Sequence, residues 1–225
     1  MLQTIISNEN YIFLAVFVVL GFVALLYLLS PMSLSGEPLV YLIGVDHAMQ
    51  FKHPWSQMVG GEPEGVGKKR EEFKAYVAEM IDKLGIEILA EEFSTRQAYA
   101  EGEVAFRRKV AAELEETAPE PLIWKTVLEQ LGEDKGIAHR FCDPDAKERE
   151  ALGIEVDSKK ATESDWRKRE QFWLSKIENC KHKRVLFVCG DNHYDTFAQL
   201  LESSGFNVQH GRRYDISDEV TKNPS

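Results

Sequence analysis

Two hydrophobic patterns divide the chain. Ile12 to Leu29 is a continuous apolar run broken only by Gly21, and no residue from Asn10 to Gly36 is charged. At about 1.5 Å per residue, a helix of that length spans the hydrocarbon core of a bilayer. Tyr11 and Tyr27 stand near its ends, where aromatic rings favour the interface. No Lys or Arg precedes the run, and it is longer than a usual signal-peptide core, so the pattern predicts a retained anchor rather than a cleaved leader. Residues 1–30 are expected to form this anchor, 31–38 a linker, 39–216 an α/β domain and 217–225 a polar tail.

After the linker, short β-prone runs alternate with stretches of helical spacing. Leu39 to Gly44, Ile86 to Ala90, Gly136 to Phe141, Arg184 to Cys189 and Phe206 to Val208 read as strands. Residues 54–67, rich in Gly and Pro, read as a loop. Helices are expected over Arg70–Leu84 (stopped by Gly85), Gln97–Glu116, Pro121–Leu131 (stopped by Gly132), Ala161–Asn179 and Tyr194–Ser203. A short helix is expected over Asp145–Leu152, with Asp145 as its cap. Trp166, Phe172, Trp173 and Ile177 share one side of the long helix and read as core. This alternation predicts a mostly parallel sheet with helices on both faces.

Composition narrows the function. Hydrophobic residues make up 44% and charged residues 28%, which excludes wholesale disorder and a polytopic membrane protein. A net charge of −10 argues against nucleic acid as a partner. Three cysteines, Cys142, Cys180 and Cys189, are too few and of the wrong parity for a disulfide scaffold, and none stand in C-x-x-C spacing. Unpaired thiols suit a reducing compartment. The basic residues lie beyond the apolar run, starting at Lys52, which favours a cytoplasmic domain on a single-pass anchor. No Ser sits in a Gly-x-Ser-x-Gly elbow. The glycines before Lys68 and Lys69 miss the P-loop spacing.

Ligands of open parallel sheets bind beyond the carboxyl ends of the strands. Here those ends deliver Asp46 and His47, then Glu91 and Glu92, then Asp143 and Asp145, then Asp191, Asn192 and His193. Clustered carboxylates repel one another, so such a gathering points to metal binding or proton transfer. Gly-x-x-His occurs as Gly44–His47, Gly190–His193 and Gly136–His139, where the numbers of Gly and His would produce fewer than one by chance. The first two directly follow a strand. Gly lets the backbone turn there, and the imidazole three residues on is aimed into the crevice. An Asp or His in such a loop is also an ordinary cap or solvated group, and Glu91 and Glu92 point to opposite faces of an extended strand. A Cys–His pair using Cys142 or Cys189 is a minor alternative.

Strand plus Gly-x-x-His, a strand ending in Glu, and a late strand plus Gly-x-x-His resemble the TraB/TIKI metallopeptidase-like, ChaN haem-binding and erythromycin-esterase-like group. The resemblance covers roughly residues 39–208. It implies paired roles for His47 and His193, a Glu at Glu91 with Glu92 as second choice, and a mid-domain basic residue at Arg140 or Arg149. The Asp143-Pro144-Asp145 turn departs from the group's pattern. The expected metal ligands are therefore His47, His193, Glu91 and Asp191, for a divalent Mn, Zn, Fe or Co ion. Glu91, Glu92, Asp143 and Arg140 are the expected catalytic groups. The combined expectation is a membrane-anchored hydrolase acting on a peptide or small molecule, with or without a metal. The rival is a non-catalytic ligand-binding, sensor or haem-binding domain on the same anchor.

Overall fold

Alternate residues of the first strand serve two different cores. In β1 (Leu39–Val45), Val40 and Leu42 join one hydrophobic cluster, while Tyr41, Ile43 and Val45 join another. Both faces of the strand are covered, which is why its sequence is apolar without alternation. The structure, a computed structural model, describes residues 39–50, 65–95, 125–155 and 160–214. The expected anchor, the helix over 97–116, most of the loop over 54–67 and the tail lie outside the described residues. Among the described residues no helix is long and apolar enough to cross a membrane.

The elements follow in the order β1, α1 (His47–Gln50), α2 (Val66–Leu84), β2 (Ile88–Glu91), α3 (Val127–Lys135), β3 (Ala138–Phe141), α4 (Ala146–Leu152), α5 (Glu163–Ile177), β4 (Arg184–Gly190), α6 (Tyr194–Ser203) and β5 (Asn207–Tyr214). The five strands form one sheet in the order β3-β2-β4-β1-β5, and every pairing is parallel. On one face, Trp173 and Ile177 of α5 and Phe197 and Leu201 of α6 pack on Phe187 of β4. On the other, Phe73 and Val77 of α2 and Leu128 and Leu131 of α3 pack on Leu89 and Leu186. Each such fully buried side chain contributes about 1.5–3 kcal/mol.

Several boundaries differ from expectation, and three of them have a clear physical cause. α2 begins at Val66, inside the segment read as loop, and ends as expected at Gly85, whose φ of 59° is left-handed. α3 does not stop at Gly132 but continues to Lys135 and ends at Gly136, with φ 67°. Gly132 is there for space: a Cβ would lie 3.0 Å from the Ile137 carbonyl oxygen. Finally, β5 begins where a strand is expected but runs on to Tyr214 as a largely exposed edge strand, too polar beyond Val208 to show its full length. α1 is a single turn that the sequence pattern did not reveal.

Candidate functional site

Because all strands run the same way, their carboxyl ends meet at one edge. A cavity of about 460 Å³ opens there, with His47, Glu92, Arg169, Trp166, His193 and Arg149 in its walls. His47 opens α1 directly after β1. Its Nδ1 lies 2.8 Å from Gln50 Oε1, one turn on, and its side chain is 53% exposed. Glu92 follows β2 and is almost wholly buried. Its Oε2 accepts the Gly190 backbone N–H at 2.6 Å, and its Oε1 accepts from Arg169 Nη2 at 2.6 Å. His193 closes the short turn after β4, with Nδ1 at 2.9 Å from Glu170 Oε1. Trp166 and Trp173 meet its ring edge-on.

The two imidazoles flank one carboxylate. His47 Nε2 is 3.9 Å and His193 Nε2 3.8 Å from Glu92 Oε1. Both separations exceed a hydrogen bond, so neither Nε2 is bound to Glu92. Arg169 stands beside them. It donates to Asp143 from Nε at 2.9 Å and from Nη2 at 2.8 Å, and its Nη1 is 3.4 Å from His193 Nε2. Burial works against its charge, but the Glu92 and Asp143 carboxylates outweigh that, so it holds its proton more tightly than an ordinary arginine. Asp143 also accepts from Trp173 Nε1 at 2.9 Å and Arg149 Nη2 at 2.5 Å.

The Gly-x-x-His glycines have a packing reason. A Cβ on Gly44 would lie 2.9 Å from Asp191 Oδ1 and from Tyr194 Cδ2. On Gly190 it would lie 3.1 Å from Glu92 Oε2 and 3.3 Å from His47 Nε2. Each glycine thus makes room for the other strand's site residues. In the third motif, His139 bonds Glu91 instead of joining the cavity wall.

Other expected residues lie elsewhere. Glu91 points to the opposite face of the sheet from Glu92. It is fully buried there, accepting from Thr126 Oγ1 at 2.5 Å and meeting His139 Nε2 at 2.7 Å. Arg140 turns to the Lys176 carbonyl and Asn179, at 2.6 and 2.9 Å, away from the cavity. Arg149, the alternative basic residue, does reach the cavity wall. Asp191 stands on that wall but accepts from Arg213 at 2.5 and 3.0 Å. Asp143 borders the site as the anchor of two arginines. The Cys142 and Cys189 thiols are buried, which pushes both well above the usual thiol range and disfavours a nucleophilic thiolate.

The implied metal set does not fit a metal ion here. Glu91 faces away, Asp191 is paired with Arg213, and the Arg169 guanidinium already supplies positive charge against Glu92 and His193. Among the described residues no group of three or more His, Cys, Asp and Glu gathers as a metal site.

Sequence reasoning missed Arg169, Glu170 and Gln50, and read Trp166 as core although it is 39% exposed on the cavity wall. A signal existed. Trp166, Glu170, Trp173 and Ile177 fall on one helical stripe, and a charged residue on a buried stripe needs a partner.

Comparison with known proteins yields no match to this chain among family models, curated proteins or solved structures.

Proposed function

We propose that the cavity is the active site of a metal-free hydrolase for a small ester or amide, on a domain tethered to a membrane by residues 12–29. The observation that carries this reading is the pair of Nε2 atoms, from His47 and His193, facing the buried Glu92 carboxylate within one cavity. His47 is the exposed imidazole, so it takes the proton from an attacking water. Arg169, held by Glu92 and Asp143, presents positive charge where negative charge develops on a carbonyl oxygen. Once it holds the water's proton, His47 returns it to the leaving group, while His193, braced by Glu170 through Nδ1, lines the opposite wall. The long uncharged apolar stretch supports the tether, and the basic residues beyond it support a cytoplasmic domain.

The full chain, treated with chelator, should hydrolyse members of a panel of short-chain esters and amides. His47→Ala should lower the rate about 10²–10⁴-fold, the usual contribution of a positioned acid or base. Activity that appears only after metal addition, or that survives His47→Ala, would sink the proposal. The exposed Trp166 ring on the wall favours the binding-module reading as second choice. In that case Trp166→Ala would weaken ligand binding while no variant shows turnover.

A further inference from the structure

Glu91 lies on the far side of the sheet from the cavity, yet a continuous chain of hydrogen bonds joins it to His47. Gln50 is the link. It is completely buried, with Nε2 at 3.3 Å from Glu91 Oε2 and Oε1 at 2.8 Å from His47 Nδ1. The other oxygen of Glu91 is engaged by Thr126 and His139 at 2.5 and 2.7 Å.

A carboxylate only accepts hydrogen bonds, and an amide has one donating and one accepting end. Against Glu91, Gln50 must therefore present its NH2 group, because the flipped amide would set oxygen against oxygen. That orientation leaves the amide carbonyl facing His47. A carbonyl accepts, so Nδ1 must carry the imidazole proton. The lone pair is then on Nε2, the nitrogen directed at Glu92 and Gly190 in the cavity. Free imidazole side chains do not hold this form preferentially, so it has to be imposed.

We propose that Glu91 is a positioning residue that fixes the tautomer of His47 through Gln50, from outside the cavity. The idea deepens the reading of His47 as the base, because only the lone-pair Nε2 accepts a proton from water. The family resemblance put Glu91 among the metal ligands and catalytic groups; its partners give it a different task. It stands outside the cavity wall, and a substitution there reaches His47 through the Gln50 amide.

The test is the nitrogen spectrum of His47 in the full chain, labelled with ¹⁵N at the histidine rings and assigned with His47→Gln. Two-bond proton–nitrogen correlation at alkaline pH distinguishes a protonated Nδ1 from a protonated Nε2. Wild type should show His47 protonated on Nδ1. Gln50→Leu and the isosteric Glu91→Gln should each shift it toward the Nε2-protonated form. Glu202→Gln, at an exposed position near the end of α6, should leave it unchanged. A wild-type His47 protonated on Nε2 would overturn the proposal. So would a Glu91→Gln protein that keeps the wild-type His47 signals while Gln50→Leu loses them, because Gln50 would then act alone. The readout needs no substrate. Failure of the ester panel with the tautomer pattern intact would refute the hydrolase reading and leave this inference standing.

Discussion

Arg169 places its guanidinium 2.6 Å from Glu92, and the carboxylate it meets is nearly inaccessible to water. The pair is therefore both the electrostatic centre of the cavity and a structural commitment. Removing one member of a buried pair leaves the other charged and uncompensated. Arg169→Met is expected to cost about 3–5 kcal/mol of stability, measured by urea unfolding. The double variant Arg169→Met/Glu92→Gln should recover part of that loss, because the orphaned charge is gone as well. If the single and double variants are equally unstable, the contact does not carry the energy assigned to it.

The Gly190 methylene faces Glu92 and His47 rather than solvent, and its φ of −59° is open to any residue. Gly190→Ala therefore tests space alone. A new methyl 3.1 Å from Glu92 Oε2 must push the site apart. The expected cost is about 1–3 kcal/mol, typical of overpacking. Hydrolysis should suffer more than the stability loss accounts for. Unchanged turnover would mean that Glu92 and His47 need not keep this spacing.

How much of this was legible beforehand depends on what each residue packs against. The strands β1 and β4 announced themselves because both faces are covered and their sequences are apolar throughout. The edge strand β5 announced only its start, Phe206 to Val208, since the largely exposed residues beyond leave no apolar signature. His47 and His193 were readable from the two strand-end glycines. The choice between Glu91 and Glu92 was not. Period-two alternation sends them to opposite faces, but only the pairing of Glu91 with Val188 and Phe141 says which face is which. Arg169 and Glu170 were hidden by an assumption that a helical stripe bearing two tryptophans is simply core. Arg140 was chosen for its position in sequence, while its reach toward Lys176 and Asn179 depends on where α5 ends.

Helix α5 carries a pH-sensitive start. Asp165 accepts from the Thr162 hydroxyl and N–H and from the Glu155 N–H, and these bonds lower its pKa from 3.8 to about 2. A depressed acid stabilises the fold in its charged form. The contribution is complete above pH 3.8 and fades as pH falls toward 2. Wild type should exceed Asp165→Asn in urea midpoint by a constant amount above that range. The gap should narrow steadily below it. A gap independent of pH would show that the carboxylate charge is not what the cap uses.

All three cysteines are free and buried. For Cys142 and Cys189 burial also raises the thiol pKa, so little reactive thiolate is present. A thiol reagent at neutral pH should leave these two unmodified in the native protein and label them promptly in denaturant, as followed by peptide mass spectrometry. Fast native labelling of Cys142 or Cys189 would contradict the burial described and revive a thiol at the site.

The strand order sets a schedule for building the molecule. β1 is the first of the described strands to be made, yet its neighbours in the finished sheet are β4 and β5, the last two of them. A nascent chain emerging from the ribosome thus carries an apolar strand with both hydrogen-bonding edges bare while most of the domain is still being synthesised. Closure over such separations is slow, and bare strand edges invite aggregation in the interval. His47 therefore stays apart from His193 until late in synthesis. That delay makes this a domain whose yield should depend on chaperones and translation speed more than its final stability would suggest.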